Sequence, residues 1–129
     1  MEEKFEHVLF VQKVKKDKKN EYINTHKKVW PDLLKAIKES GIDREIIWML
    51  EDKIIIYMMS KDFDSAMQKL GETEIFKKWI EEMDPLLDIM QDYSGKGNII
   101  RLDTIFELEE QLTALNWKNC ISINRKKYV

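Results

Sequence analysis

The chain is short of the residues that would place it in several large protein classes. One cysteine, Cys120, among 129 residues excludes an intramolecular disulfide framework and a cysteine-based zinc cluster, and two histidines allow only a sparse metal site. A reducing cytoplasm is the setting this composition fits. Four glycines and two prolines are too few for flexible linkers or low-complexity tracts, and no repeat divides the chain. Long apolar runs are missing as well: the start is charged, and the stretch from His7 to Val14 is interrupted by Gln12 and Lys13, so it lacks the apolar length of a signal peptide or a membrane span. There is no surplus of one charge, with 22 Lys plus Arg against 24 Asp plus Glu, which argues against nucleic acid as a partner. Phosphate-cradling loops, His-Glu-x-x-His and nucleophile elbows do not occur. What remains is a function without metal or cofactor, either proton-moving or purely binding.

What is present suits one domain: 43% hydrophobic residues can form a core beneath a surface supplied by 36% charged residues. Residues 5–14, rich in Phe, Val and Leu, predict a first strand. From Lys18 onward, Tyr22, Ile23, Val29, Trp30, Leu33, Leu34 and Ile37 recur at helical spacing until Ser40-Gly41. Pro31 divides this stretch into two helical pieces meeting near Trp30, with the proline in the first turn of the second. Residues 46–50 and 53–60, separated by Glu51-Asp52, predict a hairpin. A second helical region begins at Asp62 and breaks at Gly71, with Asp62 and Thr73 as N-caps. Alternation over residues 99–108 predicts the fourth strand.

The order βαββαβ is a ferredoxin-like split βαβ arrangement, an α+β fold with an antiparallel sheet covered on one face by helices. Domains of this dimeric α+β barrel type cover the other face by pairing, so a homodimer is the expected assembly. Residues 1–108 form the domain and 109–129 an extension, containing Leu112, Leu115, Trp117, Ile121 and Ile123, whose role the sequence leaves open.

The chemistry-bearing candidates are few. His26 follows Tyr22 by four positions, which places imidazole and phenol on one helical face, and histidine titrates near neutrality. Spacing alone reads more readily as a half-buried histidine at a helix kink. Trp30, Trp48 and Trp79 can approach one side of the sheet and offer flat faces to a sugar or another small ring. Core packing is the competing account, the stronger one for Trp48. The lysines from Lys13 to Lys28 are diluted by Asp17, Asn20 and Glu21 and read as a solvated face.

The series Phe10-Val11-x-x-Val14, Asp17, Glu21-Tyr22-x-x-x-His26, Val29-Trp30-Pro31-Asp32-Leu33-Leu34, Lys38-x-x-Gly41, Asp62-Phe63-Asp64 and Trp79-x-x-x-Met83 resembles the L-rhamnose mutarotases over residues 5–108. The resemblance implies a small, cofactor-free, dimeric ferredoxin-like enzyme that interconverts the α and β anomers of L-rhamnose. It also implies that His26 is the proton donor, Tyr22 a substrate-binding tyrosine and Trp79 the first of a substrate-contacting tryptophan pair. The chain departs from the family at Ile80, where a second tryptophan is common, and at Glu45, where another substrate-binding tyrosine stands. Both departures bear on which sugar is accepted, so a related 6-deoxy sugar is an alternative substrate.

Mutarotation needs one acid and one base to open and reclose a hemiacetal. In this reading His26 protonates the ring oxygen, Tyr22 holds or relays at a neighbouring hydroxyl, and Trp79 and Trp30 stack on the sugar; the base is unassigned. The competing readings are a small dimeric α+β barrel monooxygenase-like protein and a non-catalytic ligand-binding module.

Overall fold

In the computed structural model, which describes residues 4–116, strand β1 (Glu6–Val14) is followed by helices α1 (Lys19–Lys27) and α2 (Pro31–Ser40), strands β2 (Ile42–Leu50) and β3 (Lys53–Ser60), and helices α3 (Phe63–Gly71) and α4 (Glu74–Met83). A 3-10 turn (Asp84–Leu86), a short strand β4 (Leu87–Ile89) and helix α5 (Leu108–Ala114) complete it. The sheet order is β2-β3-β1-β4, with the observed pairs antiparallel, which is the α+β ferredoxin-like arrangement expected from the sequence. Trp117, Cys120, Ile121 and Ile123 lie outside the described residues.

Each β1 and β3 residue alternates between faces, as a pleated strand requires. Val8, Phe10, Gln12 and Val14 of β1 and Ile54, Ile56, Met58 and Ser60 of β3 are buried on the helical side. Phe63, Leu70 and Leu33 from α3 and α2 close the core over them. Pro31 is the first residue of α2, where its missing N–H costs nothing, and Gly41 ends that helix at φ +113°, a left-handed cap that favours glycine. Asp62 and Thr73 cap α3 and α4 by accepting from the Ser65 and Phe76 amides.

Two expectations need correction. Strand β2 begins at Ile42, four residues earlier than hydropathy indicated, because the polar run Asp43-Arg44-Glu45 hides it. Ile42 pairs with Ser60 and Arg44 with Met59, so Asp43 is an extra, bulged residue. The bulge shifts the alternation by one, and Ile42 and Glu45, three apart, therefore share the helical face, Glu45 opposite Met58.

The fourth strand is Leu87–Ile89 and not residues 99–108. The latter segment has the right alternation but forms no ladder among the described residues; only the Leu102 amide reaches the Leu9 carbonyl, at 2.8 Å. Ile105, 97% exposed, and Phe106, 60% exposed, find no apolar cover among the described residues. Arg101 anchors the segment through Glu6 and Asp64 and lies over the Phe63 ring, 4.6 Å from its centre. The three-residue β4, next to Asp84-Pro85, is too short to announce itself by periodicity.

Gly71 is required by close approach: a Cβ there would stand 2.8 Å from the Tyr93 carbonyl oxygen. The loop after β4 is thereby seated against the end of α3. Gly71→Ala is expected to destabilise the domain by about 1–3 kcal/mol through overpacking, read as a lower urea midpoint, since the obstructing atom is backbone and cannot rotate away.

Candidate active site

Between the helices and the sheet lies a cavity of about 450 Å³, within the roughly 300–1,000 Å³ of small-molecule sites. Helix α1 contributes Tyr22 and His26, α4 contributes Trp79 and Ile80, and β2 contributes Glu45. The helix break before Pro31 is what lets the short α1 carry its one buried residue, Tyr22, against this space. Apolar lining from Val29, Leu33, Ile56 and Phe76 surrounds these polar groups.

The Tyr22 and His26 rings stack with centroids 4.1 Å apart. The Trp79 ring meets His26 edge-on at 5.2 Å and Trp30 edge-on at 5.1 Å. His26 Nδ1 lies 2.8 Å from the Tyr22 carbonyl oxygen and 3.0 Å from Thr25 Oγ1, whose hydroxyl also donates to that carbonyl. A carbonyl only accepts, so Nδ1 carries the proton, and Nε2 holds the lone pair of the neutral ring. Burial lowers the His26 pKa, opposed in part by that backbone bond. The resting imidazole is thus an acceptor first and a donor only once charged.

Burial pushes the Glu45 carboxyl up to about 7. Burial, and next the Glu45 charge, raise the Tyr22 phenol above its ordinary range. Tyr93 is also raised, by burial first and then by Glu45 and Tyr22. Both phenols therefore stay protonated donors. Tyr93 donates to Gln12 Oε1 at 2.9 Å, and Gln12 Oε1 also accepts from the Gln91 amide at 2.9 Å, which accounts for a buried glutamine on the helical face of β1.

Of the expected site residues, His26, Tyr22 and Trp79 come together at the cavity. Trp30 stands behind Trp79 and is not part of the lining. Trp48 differs from both of its readings: it lies on the open face of the sheet beside Tyr57, 50% exposed, because its register partner Ile55 points that way. The resemblance put Glu45 and Ile80 at the substrate site, and both line the cavity, whereas sequence reasoning did not place Tyr93 or Gln12 there. Gln12 carries a faint signal, one polar residue between buried Phe10 and Val14; Tyr93, in an irregular segment, carries none.

The frame defines a ferredoxin-like α+β domain with a cavity of small-molecule size whose ionisable groups come from both the helix layer and the sheet. A family model described as L-rhamnose mutarotase matches residues 7–108. An L-rhamnose mutarotase from Shouchella clausii is 35% identical over 86 residues, covering 65% of this chain and 82% of that one. Another, from Formosa agariphila, is 28% identical over 105 residues, covering 81% and 99%. Among solved structures, an L-rhamnose mutarotase from Formosa agariphila superposes with a TM-score of 0.62 at 21% identity over 79% of this chain and 97% of that one. A dimeric ferredoxin-like protein from an uncultured marine organism gives 0.51 at 16% identity over 82% and 93%, a likeness of fold alone. The chain belongs to the L-rhamnose mutarotase family, whose members are anomer-interconverting isomerases.

A carboxyl with a raised folded-state pKa makes stability depend on pH. Between its unfolded value near 4.5 and its folded value of about 7, the folded state holds the extra proton, so stability falls as pH rises through that window. Glu45→Gln mimics the neutral acid. It is expected to be more stable than the parent at pH 7 and above, by a ceiling of roughly 3 kcal/mol, with the gain vanishing below pH 4.5. Urea unfolding at pH 4, 6 and 8 measures this.

Proposed function

We propose that the protein interconverts the α and β anomers of L-rhamnose, or a related 6-deoxy sugar, by cofactor-free general acid/base ring opening in the cytoplasm, residues 109–129 being an extension outside the catalytic domain. The observation that carries this reading is the stacked Tyr22 and His26 pair lining one cavity with Trp79, in a chain of this family. Neutral His26 takes the proton of the anomeric hydroxyl at Nε2 as the bond between the anomeric carbon and the ring oxygen breaks and that oxygen takes a proton from a second acid, a carboxyl or a water. The open-chain aldehyde turns about its first carbon–carbon bond. The imidazolium then returns its proton to the carbonyl oxygen as the ring closes on the other face, and the attacking hydroxyl gives its proton back to the conjugate base of the second acid. The imidazole accordingly begins as the base, the reverse of the order expected from sequence.

Tyr22, kept protonated, donates to a sugar hydroxyl, and the Trp79 ring, backed by Trp30, supports the sugar's C–H surface. Ile80 and Glu45 in the lining tune which sugar fits.

Two-dimensional NMR exchange between the anomeric proton signals of L-rhamnose, with L-fucose and D-glucose in parallel, tests the activity. L-Rhamnose exchange is expected to accelerate, and His26→Ala to lose about 10² to 10⁴ of that acceleration. Acceleration of another sugar instead moves the substrate and keeps the chemistry. Unchanged exchange for all three sugars overturns the reading.

We also propose a homodimer. On the open sheet face Trp48 and Leu50 are 50% and 61% exposed, and residues 99–108 add Ile105 and Phe106 at 97% and 60%, apolar side chains that a second copy would cover. Sedimentation equilibrium is expected to give twice the 15.5 kDa chain mass, and Trp48→Lys to shift the population toward monomer. A parent protein that stays at one chain mass throughout would count against pairing.

A further inference from the structure

We propose that Glu45 is the proton-carrying partner of His26, donating to the ring oxygen of the sugar while His26 accepts from the anomeric hydroxyl. The inference rests on the mutarotase reading and adds to it the group that completes the acid/base pair. Three features of placement support it. Glu45 lines the same cavity as His26 but from the other layer, on β2 rather than on α1, so a ring seated between helix and sheet can meet both groups. The Asp43 bulge and the ladder pair with Met58 fix it on a strand, which holds a reacting group more tightly than a loop does. Among the described residues, the Glu45 carboxylate makes no hydrogen bond or ion pair, so nothing competes with a substrate for it. Lys38, at the rim, donates instead to the Asp43 carbonyl at 2.6 Å.

The charged and titratable groups that share the cavity lining with Glu45 are Tyr22 and His26 from α1, Lys38 from α2 and Tyr93 from the segment after β4, with Asp43 and Arg44 just before it on its own strand and Arg44 on the opposite face. The adjoining β3 and α4 line this space with apolar side chains.

The protons balance without a co-reactant. In opening, Glu45 gives its proton to the ring oxygen as the bond to the anomeric carbon breaks, and His26 takes the anomeric hydroxyl's proton, leaving carboxylate and imidazolium. In closing, the imidazolium protonates the carbonyl oxygen, and the carboxylate takes back the proton of the attacking hydroxyl. With the carboxyl near 7 and the imidazole below its usual 6.5, both partners are in their working forms around neutral pH.

The test is anomer exchange of L-rhamnose, L-fucose and D-glucose by NMR from pH 5 to 9, corrected for uncatalysed exchange, for the parent protein, Glu45→Gln and Glu45→Asp. The parent is expected to lose activity on the alkaline side with a midpoint near 7. Glu45→Gln should fall about 100-fold or more and lose that limb, while Glu45→Asp keeps a limb at reduced rate. Glu45→Gln within threefold of the parent, with the limb intact, overturns the assignment and leaves the mutarotase reading standing. A parent that accelerates no sugar removes both. Should Glu45→Gln fail to fold, a parent profile flat through pH 7 is by itself enough to reject the assignment.

Discussion

The two-for-one pairing at Asp43 sets the alternation of the whole second strand. Upstream of it Ile42 is inserted into the core, 1% exposed; downstream of it Glu45, Ile47 and Met49 turn to the helices while Trp48 and Leu50 turn away. Without the extra residue one of the two groups would have to reverse, because side chains alternate with a period of two. Either the core would lose Ile42 or the cavity would lose its carboxylate. A bulge on the edge strand thus decides the chemistry of a site walled mostly by apolar side chains.

Desolvation then acts on Tyr22, His26, Glu45 and Tyr93 in the direction that removes the charge of each. Carboxyl and phenol pKa values rise and the imidazole value falls, so the resting site holds an acid, a base and two phenol donors with little net charge. Such a state is compatible with a neutral sugar, which brings no counter-charge. It also explains the network at the back of the site: Gln12 accepts from Tyr93 and the Gln91 amide, so the buried amide oxygen is satisfied and the loop after β4 is tied to the central strand. Gly71 allows that loop to sit close enough for the bonds to form.

The sheet has two unequal faces. Helices cover one side, whereas on the other Leu9, Val11, Ile55 and Met59 are only partly buried and Trp48 is half exposed. In the segment 99–108, Ile99 packs against the core and Arg101 anchors the chain, while Ile100, Leu102, Ile105 and Phe106 are exposed among the described residues. The proposed second copy would give these surfaces a common partner, and strand-like alternation with no ladder inside the described chain is the pattern a pairing between copies leaves behind.

Much of the architecture was legible from local rules. The alternation of β1 and β3, the caps at Asp62 and Thr73 and the break at Pro31 each depend on a few neighbouring residues, so the order of elements and the meeting of Tyr22 and His26 on α1 followed from sequence. The early start of β2 and the brevity of β4 did not, because ladder partners distant in the chain define them. The sequence by itself determined that His26 and Tyr22 share one helical face, since helical spacing is local. Only the tertiary structure decided that the Glu45 side chain lies in one cavity with them, that Trp48 faces away, and that the four pKa shifts run in concert, because burial and strand register arise from contacts across the fold.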